Sequence, residues 1–200
     1  MKITIRKVIN SLSVVVGIVA IAFLFTGHSI FVILGYLSFA AVLFLPRIIY
    51  RRLNLHENIS NEFLDWIEIS FSTVVSLSVL GYLWLFDTLY DYDTYVHFFT
   101  PLFLFILFAI FFKATTTHFK IKTTKSDIVL ASLVAITSLL LFWELLEYFI
   151  TIYLHKNMFF TIGEPNDTLY DVLSGFMSLP LASILVYKYS DWFFDKFNKN

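Results

Sequence analysis

The chain has 200 residues, 58% of them hydrophobic and only 14% charged, with a formal net charge of −1 and no cysteine. A soluble domain carries about 25% charged residues, so the composition excludes an ordinary soluble fold. It leaves an integral membrane protein, a single all-α domain over residues 1–200 with short loops. The near-zero charge excludes bulk attraction to nucleic acid. The missing cysteine excludes disulfides, thiolate metal sites and cysteine nucleophiles.

A membrane-crossing helix needs about 20 mostly apolar residues. Six windows qualify, at residues 8–25, 30–49, 63–86, 95–112, 128–150 and 169–187. The first follows Met1-Lys2-Ile3-Thr4-Ile5-Arg6-Lys7, and Ala20-Ile21-Ala22 imitates a signal-peptide cleavage site. The apolar run continues through Phe23-Leu24-Phe25, however, so an uncleaved first helix is expected. The first two windows hold no ionisable residue in their apolar cores and read as packing or lipid-facing helices, with Gly17 and Gly35 allowing close approach. The third opens with Asp65 and Glu68, acids well placed at a helix N-terminus. Windows three to six would form the working part, and the last three begin or end at the acids treated below.

Of the 14 Lys and Arg, all but Lys156 fall on one side of this six-helix map. They precede the first window, follow the second (Arg47, Arg51, Arg52), join the fourth to the fifth, and end the chain. The positive-inside rule then places both termini in the cytoplasm of a multi-pass cell-membrane protein. Residues 26–29, 87–94 and 151–168 become the outer loops. Tyr82, Trp84, Tyr90, Tyr92, Tyr95, Tyr148 and Tyr153 near the outer boundary read as an aromatic belt. Tyr50, Trp66, Tyr187, Tyr189 and Trp192 read as its inner counterpart.

Three acidic pairs share one depth on this map. Asp93 and His97 lie where the fourth helix starts, Glu144 and Glu147 in the outer third of the fifth, and Asp167 and Asp171 where the sixth starts. Each pair has i,i+3 or i,i+4 spacing and so shares a helix face. An ionisable group at bilayer depth costs roughly 2.5–3.5 kcal/mol even on mild scales, so several together point to a site. Plainer readings exist for some: Asp167 and Asp93 as caps, His97 as an interfacial histidine. Glu144, Glu147 and Asp171 are hardest to read as structural. Clustered carboxylates need protons or a cation between them. Oxygen ligands suit Mg²⁺, Mn²⁺ or Ca²⁺, and a histidine among them also admits Zn²⁺ or Fe²⁺. Pro101 deprives the His97 carbonyl of its helical donor. Ser174, Gly175, Ser178 and Ala182 continue the Asp171 face as a small-residue stripe on which a neighbour, expected to be the fifth helix, packs.

On these residues the chain resembles the YjdF-like family of bacterial membrane proteins. The resemblance lies in Tyr92-Asp93…His97-Phe98, Trp143-Glu144-Leu145-Leu146-Glu147-Tyr148 and Asp167-Thr168-Leu169-Tyr170-Asp171-Val172, and it covers about Tyr92 to Pro180. Leu169 stands where that family usually has Gln, and the acid after the loop glycine appears as Glu164 after Gly163. The chain is more loosely similar to the VanZ-like proteins, which are linked to glycopeptide tolerance and the cell envelope. The resemblance implies an architecture and a site rather than a reaction.

Three functions compete. A membrane-embedded enzyme would hold a divalent cation on Glu144, Glu147, His97 and Asp171, with Asp93 and Asp167 beside them, and act on a lipid or lipid-linked envelope substrate. A non-catalytic envelope or stress protein would use the cluster to fix helix packing. A cation- or proton-coupled transporter ranks third, because no internal repeat is visible and the acids stay at one side. The sequence carries no nucleotide-binding loop, no Ser-His-Asp order and no pair of haem-ligating histidines.

Overall fold

A computed structural model describes residues 4–89, 91–155 and 167–197. Lys2, Tyr90, Lys156, Gly163, Glu164 and Lys199 lie outside the described residues, as does the side chain of Asp167. The described residues are helical with no β-strand. The helices are α1 (Ile5–Phe25), α2 (Ile30–Val42), α3 (Leu45–Arg52), α4 (Asn61–Leu80), α5 (Phe86–Thr88), α6 (Tyr92–His118), α7 (Lys125–Leu154) and α8 (Asp167–Phe194).

Five helical segments are long and apolar enough to cross a membrane, and α2 with α3 adds a sixth as a pair bent by 43°. Side chains on the outside are apolar in long rows. Val14, Ile18, Leu130, Val134, Leu145, Met177 and Ile184 are all more than half exposed, a surface that only lipid solvates cheaply.

Local chemistry sets the ends. Ser29 caps α2, its hydroxyl accepting from the amides of Phe31 and Val32 at 3.2 and 3.5 Å. Thr124 and Asp127 form a reciprocal capping box at the start of α7. The expected second span, 30–49, is broken. Pro46 has no amide to offer the Val42 carbonyl, and its ring crowds that carbonyl, so α2 stops at Val42 and α3 leaves at an angle.

The bundle has two parts joined by α4. In the first, α1 and α2 pack on each other and on α4, around Ile9, Val16, Ala20, Val32 and Tyr36. In the second, α6, α7 and α8 pack around Leu102, Phe105, Ala109, Ile128, Leu179 and Ala182. α6 and α8 share the most extensive interface, and α4 lies against α6. Gly17 has open space where a Cβ would be, so it does not mediate the close approach expected of it.

At the end that carries both termini, the Ser60 amide donates to the Phe197 carbonyl at 3.0 Å. Lys113 there bonds Asp191, which also meets Lys125 at 3.1 Å. Three residues depart from their expected roles at these boundaries. Arg47 is not a loop cation. Its guanidinium grips Glu68 with two bonds, of 2.6 and 3.0 Å, and reaches Asn10 at 3.2 Å. Glu68 is only 2% exposed and lies two turns inside α4, not at its N-terminus. Tyr50 is 2% exposed, and its hydroxyl donates to the Ile59 carbonyl at 2.8 Å, so it is an internal tie rather than a belt residue.

Candidate functional site

The site lies at the end opposite the termini. The chain enters α6 through Asp91 in a left-handed conformation (φ 58°), and the Tyr92 hydroxyl donates to the Leu77 carbonyl at 3.0 Å. That bond fixes the first turn of α6 against α4 and so sets the direction of Asp93 and His97. α8 is brought onto α7 by the small-residue stripe. A Cβ on Gly175 would lie 2.6 Å from Leu140 Cδ2, and Ser178 and Ala182 are fully buried. Glycine at that point lets α8 approach closely enough for Asp171, one turn earlier, to face His97.

His97 is the hub. Its Nδ1 lies 3.1 Å from Glu144 Oε1, and its Nε2 lies 3.5 Å from Asp93 Oδ1 and 3.9 Å from Asp171 Oδ2. Donor atoms of Asp93, His97 and Asp171 all fall within 4.8 Å of one another. Glu144 is on the other ring nitrogen. Its Oε1 is buried and approaches Nδ1 without the alignment of a good hydrogen bond, so the oxygen keeps unused acceptor capacity. Glu144, Glu147 and Asp171 are buried, whereas the Asp93 side chain is 34% exposed and opens the group to its surroundings.

Glu147 sits one turn from Glu144, and neither a hydrogen bond nor an ion pair joins it to a described residue. Asp167 opens α8, with its side chain outside the described residues. The structure thus joins Asp93, His97, Glu144 and Asp171 and leaves Glu147 beside them with no hydrogen bond or ion pair among the described residues. Two residues escaped the sequence reading. The hydroxyl oxygens of Thr100 and Thr151 are buried without a hydrogen bond to a described residue. Their spacing was the available signal, three residues after His97 and four after Glu147, on the same helix faces.

Electrostatically the group is one-sided. It holds four carboxylates and one imidazole, while every described Lys and Arg lies toward the other end of the bundle. An imidazolium offsets one negative charge. The rest call for shared protons or a bound cation, because unpaired buried carboxylates repel and lose hydration.

A family model described as "Predicted membrane protein (DUF2238)" matches residues 9–192. The chain belongs to this family. DUF2238 is the YjdF-like family to which the three motifs point, and those motifs contribute His97 and its carboxylate neighbours. Curated proteins and solved structures yield no match, and the looser similarity to VanZ-like proteins rests on the motifs alone.

Proposed function

We propose that this DUF2238 protein is a membrane-embedded enzyme whose divalent cation is held by Asp93, His97 and Asp171. It acts in the cell membrane on a lipid or lipid-linked envelope substrate arriving from the outer leaflet, and both its termini are cytoplasmic. The observation that carries the reading is the two-sided use of His97. Nε2 faces two carboxylates at 3.5 and 3.9 Å, and Nδ1 faces a third at 3.1 Å. Ligands bonded at about 2.1 Å to one ion sit roughly 3–4 Å apart, which matches the Nε2 side. A carboxylate on the far nitrogen is the usual partner that orients a metal-binding imidazole and raises its basicity. Glu144 is therefore read as a positioning residue rather than a direct ligand.

The donor set of one imidazole and two carboxylates suits Zn²⁺, Fe²⁺ or Mn²⁺, and admits Mg²⁺ less readily. A cation there would polarise a phosphate oxygen or lower the pKa of a bound water. Asp93 is the exposed member, and Tyr95, Leu169 and Tyr170 beside the acids are each more than half exposed. Those apolar and aromatic surfaces give a lipid a lateral path to the ion.

The test is metal retention by purified protein, loaded with Mn²⁺ or Zn²⁺, desalted and analysed for bound metal. About one ion per chain is expected, with loss in Asp171→Asn and in His97→Ala. Wild-type protein that stays folded and monodisperse but holds no ion would end the metal reading. Hydrolysis of a lipid-linked pyrophosphate in proteoliposomes, absent in Asp171→Asn, tests the enzyme reading separately. One observation favours a second reading, a non-catalytic packing role. His97 of α6 touches Glu144 of α7 and Asp171 of α8, so the contacts themselves tie three helices. In that case Asp171→Asn lowers thermal stability and changes no activity.

A further inference from the structure

We propose that a crevice between α4, α6 and α8, near the end that carries the termini, holds an acyl chain of an anionic phospholipid. A carbonyl oxygen of that lipid accepts from the Ser190 hydroxyl, which turns out of the crevice wall to meet it, and its headgroup lies against Lys188 and Lys196. The crevice has a volume of about 200 Å³ and its accessible lining is apolar, with Trp66, Ile106, Ile110, Val186, Tyr189 and Trp192 among its walls. It is remote from the His97 site, whose residues lie at the opposite end of the same helices.

Three observations fix the occupant. First, Ser190 lines the crevice, is only 3% exposed, and its hydroxyl oxygen makes no hydrogen bond with a described residue. Many helical hydroxyls in this protein bond back to a carbonyl one turn earlier, as Ser132 does to Ile128 and Ser178 to Gly175, each at 2.7 Å, although Thr100 and Thr151 at the other end of the bundle do not. Ser190 departs from that habit and leaves a buried donor to be paired. A purely hydrocarbon occupant would not pair it, whereas an ester carbonyl would.

Second, two of the lining rings carry an ammonium group. Lys196 Nζ stands 3.6 Å from the centroid of the Trp192 ring, and Lys188 Nζ stands 5.2 Å from that of Tyr189. Positive charge is thus held at the mouth of an apolar slot, the complement of an anionic headgroup above an acyl chain. Third, Tyr189 and Trp192 are 47% and 62% exposed, so the mouth faces the bilayer near the helix ends, at the depth where headgroups and ester carbonyls lie.

Native mass spectrometry of the full chain in detergent tests this, with phosphatidylglycerol or phosphatidylcholine titrated in. One phosphatidylglycerol per chain is expected at roughly tenfold lower concentration than phosphatidylcholine, the preference two juxtaposed lysines supply. The pair Lys188→Gln/Lys196→Gln should equalise the two lipids. Ile106→Trp should fill the slot and remove both adducts. Should Ile106→Trp fail to fold, Ser190→Ala, which removes only the donor, should weaken the phosphatidylglycerol adduct several-fold. Equal retention of both lipids by wild type would overturn the proposal. So would an unchanged adduct in folded Ile106→Trp or in Ser190→Ala. A protein dimer in place of the lipid adduct would assign the groove to a second copy and overturn it equally.

Discussion

Removing Arg47 should destabilise the protein far more than removing a loop cation would. The side chains of Arg47 and Glu68 are 12% and 2% exposed, and two bonds of 2.6 and 3.0 Å join them. In Arg47→Met the Glu68 carboxylate stays buried in α4 with its counter-charge gone. Breaking a buried pair this way costs about 3–5 kcal/mol, because the remaining charge is neither hydrated nor matched. The Asn10 contact, at 3.2 Å, adds about 0.5–1.5 kcal/mol that Met cannot replace. The double variant Arg47→Met/Glu68→Met removes both charges and should recover most of the loss, since apolar replacements of buried pairs are often neutral. The assay is unfolding of purified protein in mixed micelles by added denaturing detergent, followed by far-ultraviolet circular dichroism. A cycle over the two single variants and the double should give a coupling above about 2 kcal/mol. An Arg47→Met protein within about 1 kcal/mol of wild type would refute the argument, for it would mean that Glu68 reaches water or a proton cheaply.

Three further outcomes are expected. Glu144→Gln should weaken metal retention by about 10–100-fold, as loss of an orienting carboxylate does, while Glu147→Gln, which does not touch the imidazole, should change it much less; equal effects in the metal assay would remove the distinction between them. Gly175→Ala should cost about 1–3 kcal/mol by overpacking Leu140, and Leu140→Ala should restore part of it in the same unfolding assay; a neutral Gly175→Ala would show that Leu140 simply turns away. Single cysteines in this cysteine-free chain should be labelled from outside at Thr88→Cys but not at Glu57→Cys or Lys122→Cys, and the reverse pattern would invert the proposed orientation.

The helices were legible because each depends on a long local run of apolar residues, a property that needs no knowledge of neighbours. The grouping of Asp93, His97, Glu144 and Asp171 was legible for the same reason. Topology alone sets their depth, and i,i+3 or i,i+4 spacing sets their face. Which carboxylate faces which nitrogen of His97 was not legible. That depends on helix rotation, fixed by long-range contacts such as Gly175 against Leu140 and the Tyr92 hydroxyl on Leu77. The partnership of Arg47 with Glu68 was hidden likewise. Arg47 reads as one more basic residue after an apolar window, and only the bend before Pro46 turns α3 so that its guanidinium meets α4. Tyr50 reads as a belt residue until the turn at Leu55–Glu57 puts the Ile59 carbonyl within its reach.

The two ends of the bundle treat charge differently. At the end with the termini, buried or half-buried charges meet opposite ones: Arg47 with Glu68, and Asp191 with both Lys113 and Lys125. Such pairs hold helices in register and leave little charge over. At the other end three carboxylates face one histidine with the buried Glu147 beside them, and a buried oxygen of Glu144 lacks a good hydrogen bond. A fold that needed only a staple there would be better served by apolar residues or a matched pair, because unmatched acids weaken it. Excess negative charge gathered around one imidazole therefore has its simplest physical account in a positive guest. On the proposed metal reading that guest would sit on the Nε2 side, between Asp93 and Asp171, with Glu144 holding the ring from behind.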